Sequence, residues 1–236
     1  MKKPVFVNGQ IYHAFNRGVE KRKIFNNDSD RYRFIHDLFE FNDSAPTFNA
    51  LYRFNRQSME VQPQYIEREG MRPRKLLVDV LAFCLMPNHY HLLVRQRVDD
   101  GVINFMKKMG TGYAMYFNQK YNRVGPLFQG RFKAVLVDKE SHLLHLPFYI
   151  HANPLDIILS DWQEEKFDPE KAEKFLGSYR WSSYLDYSGK KNFPSVTQRE
   201  FLTDYFNNNF KKEMFTWLKD IHSENNLENI KDVMLE

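Results

Sequence analysis

Residues 76–96, LLVDVLAFCLMPNHYHLLVRQ, decide the fold class of this chain. Residues 76–86 are an almost unbroken apolar run, the pattern of a strand covered on one face and largely on the other. Pro87-Asn88 supplies a tight turn, and His89 to Gln96 reads as a second strand, so the two predict an antiparallel hairpin. Upstream, residues 10–17, QIYHAFNR, alternate as a strand that Gly18 ends. A helix follows, capped by Asp28 or Ser29, with Tyr32, Phe34, Ile35, Leu38 and Phe39 at helical spacing up to Phe41. Downstream of Asp99-Asp100-Gly101, Val102 to about Tyr121 is a long amphipathic helix whose middle Gly110 and Gly112 weaken. Arg131 to Val137 is a third apolar strand. The helix that begins at Ser141 stops at Asn153-Pro154, because proline disfavours the α conformation in the residue before it. This order predicts an α+β chain of ferredoxin-like split βαβ type, an antiparallel sheet with helices on one face. The expected division is a core over 1–155 and a C-terminal helical extension over 156–236, packed on or flanking that core, with a last helix from Thr197 to about His222.

At 236 residues the chain suits one domain of ordinary size with a decorated end. A single cysteine, Cys84, excludes an internal disulfide framework and points to a reducing compartment. Nowhere do about 18 uncharged apolar residues follow one another, so no membrane span is expected and the protein reads as cytoplasmic. Charge is uneven: residues 1–150 hold 23 Lys+Arg against 14 Asp+Glu, and residues 151–236 hold 11 against 16. Residues 42–75 lack a sustained period and carry five arginines, which reads as an inserted basic loop or arm. A basic body whose arginines are interleaved with Tyr and Phe suits a polyanion such as a nucleic acid, though a solvated surface with chance asymmetry has the same composition.

Chemistry concentrates at two places. His89 and His91 flank Tyr90, and alternate residues of a strand share a face, so both imidazoles can reach one divalent ion. Two histidines at a core edge would look the same. Tyr149 and Asn153 are four residues apart on a helix and share a side. An amide oxygen is an acceptable hard ligand for Mg²⁺ or Mn²⁺. A tyrosine beside such a site is a candidate nucleophile, given a base or an electrophile to offset a phenol pKa near 10. The plain alternatives are a core tyrosine and a helix-terminating Asn-Pro pair.

Taken together, these stretches resemble a known family. MPNHYHLLV at 86–94 is similar to the His-hydrophobe-His motif of the single-tyrosine (HUH) transposases, and FYIHANP at 148–154 resembles their tyrosine helix. The likeness is strongest to the transposases associated with repetitive extragenic palindromes. It extends through HAFNRGVEKRKIF at 13–25, GPLFQGRFKAVLV at 125–137 and WSSY at 181–184. Two features depart from the pattern: bulky Tyr90 in the middle of the motif, and Pro147 inside the tyrosine helix. The resemblance implies that His89, His91 and Asn153 hold a divalent cation, Mg²⁺ or Mn²⁺, and that Tyr149 attacks a phosphodiester of single-stranded DNA beside a hairpin. That attack would leave a 5′-phosphotyrosine and a free 3′-OH, a step whose reversal is strand transfer. Arg17, Arg131 and Lys133 are candidate phosphate contacts, with ordinary surface charge as the alternative. Monomer and homodimer are both open.

Two rival readings keep the fold and change the chemistry. One is an RNA-recognition-like binding module, which would be indifferent to chelator. The other is a metal-dependent phosphodiesterase that uses water, with Tyr149 structural, which would form no covalent adduct.

Overall fold

The structure is a computed structural model that describes residues 4–46, 52–63, 74–159, 162–164, 166–221 and 227–234. In chain order its elements are β1 (Ile11–Arg17), α1 (Asp28–Glu40), β2 (Tyr52–Asn55), β3 (Glu60–Pro63), β4 (Val78–Leu85), β5 (His89–Gln96), α2 (Gly101–Lys120), β6 (Lys133–Val137), α3 (Glu140–Ala152), α4 (Pro169–Leu176), α5 (Tyr184–Tyr187), α6 (Glu200–Tyr205) and α7 (Phe210–Asp220). Strands β4, β5, β1 and β6 form one antiparallel sheet in that order, as the split βαβ plan requires. The β4–β5 hairpin turns at Pro87-Asn88 as its sequence predicts.

Alternation along the strands splits the core in two. Tyr12 and Ala14 of β1, Val78, Val80, Phe83 and Leu85 of β4, and Tyr90, Leu92 and Val94 of β5 point toward α1 and α2. There Tyr90 lies 4.8 Å from Phe34 and 5.9 Å from Phe128, ring centre to ring centre. The bulky middle residue of the histidine motif is thus a core side chain on the face away from the histidines. The opposite face, with Ile11, Ala82, Cys84 and Leu93, packs against α3 and against the extension through Trp162, Phe206, Met214, Trp217 and Val233. A bulge after Val80 lets Leu81 and Ala82 both face that second core. Cys84 is fully buried there. WSSY guards the open edge of β4: Leu85 N–H donates to the Trp181 carbonyl at 2.8 Å and Phe83 N–H to Ser183 Oγ at 2.9 Å.

Several expectations are corrected. The cap of α1 is Asn27, not Asp28 or Ser29: its side chain accepts from Asp30 N–H while Asp30 reaches back to the cap, a complete capping box. Gly112 is not merely a weak point of α2, since a Cβ there would sit 2.4 Å from the Phe41 ring; only Gly110 has open space. The single helix expected from Thr197 to His222 is broken into α6 and α7 because Asn207 and Asn208 adopt left-handed φ of 49° and 61°, which asparagine tolerates. Helix α3 begins at Glu140, one residue before the expected Ser141, and continues through Pro147. Within 42–75 the described residues contain the β2–β3 hairpin. Arg74 stacks over Phe39 at 3.7 Å and donates to the carbonyls of Phe39 and Asn42, and Arg56 lies 4.9 Å above the Tyr32 ring. These two arginines brace α1; Arg68 and Arg72 lie outside the described residues, and the Arg53 side chain is likewise not described.

Candidate active site

The site occupies the second face of the sheet, where three strands and one helix meet. Register places Arg17 opposite His89 and Phe15 opposite His91 across β1 and β5, and Lys133 of β6 opposite Phe15. The His89 and His91 rings are 5.0 Å apart, edge to face. From α3, the Tyr149 ring lies 6.1 Å from that of His91 at 83°, and the Asn153 amide interacts with His89. The four residues expected to act together are therefore neighbours in space. Tyr149 is fully enclosed, with the Trp162 ring at 6.2 Å.

Hydrogen bonding fixes the orientation of each donor. Asn88 donates from Nδ2 to the Lys21 carbonyl at 3.3 Å, which turns its Oδ1 to His89 Nδ1 at 2.7 Å. An acceptor there places the His89 proton on Nδ1 and leaves a lone pair on Nε2. Asn153 donates from Nδ2 to the Tyr149 carbonyl at 2.8 Å, so its Oδ1 is the atom left over. His89 Nε2, His91 Nε2 and Asn153 Oδ1 are all buried and none makes a hydrogen bond of normal length and angle, although Asn153 lies near enough to His89 to favour its protonated form. Buried polar atoms left unsatisfied cost about 1–3 kcal/mol each, and three at one place need a reason. A divalent cation satisfies two imidazole nitrogens and an amide oxygen at once, so the donor set fits such an ion. Among the described residues no cluster of three or more His, Cys, Asp and Glu side chains is placed to hold a metal.

Electrostatics keep the imidazoles neutral, the state that ligates. Burial lowers the His89 pKa to about 4, with the Asn153 amide pulling partly back and Arg17 adding to the lowering. His91 is held well below its ordinary value by burial first, then by His89, His13 and Arg17. Beside the histidines, Phe15, Asn16, Arg17, Gln129, Gly130, Arg131 and Lys133 line a cavity of about 180 Å³. All three basic residues singled out from the sequence thus line one cleft next to the imidazoles.

Sequence reasoning missed His13. It is fully buried, its Nε2 lies 2.9 Å from His91 Nδ1, and its Nδ1 lies 2.6 Å from the Val233 carbonyl. Its parity with Arg17 along β1 was legible, but only the register of β1 against β5 puts it behind His91. Of the α3 histidines, His151 bonds Ser183 Oγ at 2.7 Å inside the second core. His142 faces Asp232 at 3.0 Å.

Comparison with known proteins gives two findings. Residues 48–153 match the family described as transposase IS200 like, a span that holds His89, His91, Arg131, Lys133, Tyr149 and Asn153 but not β1. A solved structure described as a REP-associated tyrosine transposase bound to a REP hairpin is similar at 10% identity, covering 85% of this chain and 94% of that one, with a TM-score of 0.46. No curated protein matches. No helix among the described residues is long and apolar enough to cross a membrane.

Proposed function

We propose that this chain, whose residues 48–153 match the IS200-like transposase family, cleaves and rejoins single-stranded DNA through a tyrosine nucleophile at the site just described. The observation that carries the reading is the set of three orphaned ligand atoms, on His89, His91 and Asn153, beside Tyr149. Mg²⁺ or Mn²⁺ bound by them would act as Lewis acid and template for the scissile phosphate. Tyr149 Oη attacks phosphorus and gives up its proton, the P–O3′ bond breaks, and the released O3′ takes up a proton. The product is a 5′-phosphotyrosine that keeps the bond energy for rejoining. Arg17, Arg131 and Lys133 bind the backbone in the adjoining cleft, Arg as a fork and Lys as a point charge. The substrate class we assign is single-stranded DNA flanking a hairpin.

Enclosure of Tyr149 favours one competing reading, in which water attacks and the tyrosine is structural. Labelled hairpin DNA with Mg²⁺ separates the two. A denaturation-resistant protein–DNA complex should form, vanish on addition of chelator, and be missing in Tyr149→Phe, which keeps the ring and deletes only the hydroxyl. Cleavage without an adduct assigns the attack to water, and cleavage undiminished in that variant moves the role to another tyrosine or to water.

A further inference from the structure

We propose that the C-terminal segment 227–234 supports the metal site, its Val233 carbonyl acting through His13 to hold His91 in the tautomer whose bare Nε2 faces the ligand position. This rests on the metal-binding reading above and extends it to residues outside the family match. One chain of contacts fixes where each proton sits. Val233 O can only accept, so His13 Nδ1 carries a hydrogen. At a fully buried position a doubly protonated imidazole would be a charge without a counter-ion, so His13 Nε2 is bare and accepts. The hydrogen between His13 Nε2 and His91 Nδ1 then belongs to His91, and the lone pair of His91 falls on Nε2, the orphaned atom. Near-parallel rings, 22° apart, hold that geometry. With the relay reversed, His91 would present N–H to the cation and could not ligate.

The tail is held in place by the helix that carries Tyr149 and is capped by Asn153. Asp232 lies 3.0 Å from His142 Nε2 and 2.6 Å from Lys139 Nζ, and Ile230 and Val233 are buried in the second core. One segment thus ties the imidazole on β5 to the helix bearing the nucleophile. His13 is a positioning residue, since it touches a ligand rather than the metal or DNA.

Full-length metal-free protein, labelled with ¹⁵N at histidine, tests the relay without any activity: long-range ¹H–¹⁵N spectra should show His91 protonated on Nδ1 and bare on Nε2. Calorimetric titration with Mn²⁺ alone tests the consequence. His13→Phe, which keeps a ring but offers no acceptor, should weaken Mn²⁺ binding roughly tenfold to hundredfold, the usual effect of removing a ligand's hydrogen-bond partner. His13→Gln, whose amide can accept from His91 and donate to Val233, should recover most of it. A proton on Nε2 of His91, or wild-type affinity in His13→Phe, overturns the proposal. Should the phenylalanine variant not fold, the wild-type spectrum and the glutamine variant still decide. Wild-type protein that binds no Mn²⁺ overturns the metal reading instead, while the spectrum separately reports the relay.

Discussion

The two faces of one sheet follow opposite rules. Alternate residues of β5 send Tyr90, Leu92 and Val94 into an aromatic core under α1 and α2, where the tyrosine ring meets Phe34 and Phe128. The residues between them send His89 and His91 to a face where buried nitrogens have no partners. The first face is close-packed throughout; the second packs a core of its own around Leu93 but carries, at its His89 end, unsatisfied polar atoms that lower stability. Stability and chemistry are thus separated by the two-residue period of a strand, and substitutions on the two faces should separate them too.

The largest contrast pairs Phe34→Ala with His89→Ala. Phe34 is fully buried among rings, and its truncation should cost about 3–5 kcal/mol in urea unfolding. His89→Ala removes an imidazole whose Nε2 makes no bond and should change stability by about 1 kcal/mol or less while Mn²⁺ binding is lost. Equal destabilisation by the two would break the contrast.

Acid sharpens it. Burial lowers the His151 pKa to about 3 on the second face, against 6.5 for the ordinary group. Below pH 6.5 the unfolded chain gains a proton that the native state refuses. The stability that neutral His151 permits is therefore complete above pH 6.5 and declines as pH falls toward 3, by about 1.4 kcal/mol per pH unit. Urea midpoints at pH 7 and pH 5 should differ less in His151→Gln than in the wild-type protein. An unchanged difference would show that this histidine is protonated as readily folded as unfolded.

Gly110 and Gly112, in the middle of α2, test the first face more finely. Gly110→Ala meets open space and should stabilise by about 0.5–1 kcal/mol through helix propensity. Gly112→Ala drives a methyl against the Phe41 ring and should destabilise by about 1–3 kcal/mol. Thermal unfolding that moves both variants the same way would show that the ring yields without cost. The smallest effect belongs to the cleft: Arg131→Ala should weaken single-stranded DNA binding about equally for all sequences and make the log–log salt slope shallower by roughly 0.7. A change in preferred sequence instead would mark Arg131 as a base reader.

The sequence by itself determined the hairpin at Pro87-Asn88 and the same-face pairing of His89 with His91 and of Tyr149 with Asn153. These are local facts of chain period and turn chemistry, and they were read correctly because each involves neighbours within four residues. Breaks such as Asn207-Asn208 were missed because a left-handed φ is a choice asparagine permits but does not require. Tertiary structure alone decided which strand face the extension covers, and that Arg74 braces α1. It also decided that His13 stands between His91 and a carbonyl 220 residues away in the chain. Those depend on strand register and on the docking of distant segments, where the energy lies in contacts that no sequence period encodes. His13 shares its alternation with every other residue of its strand, and only its partners distinguish it.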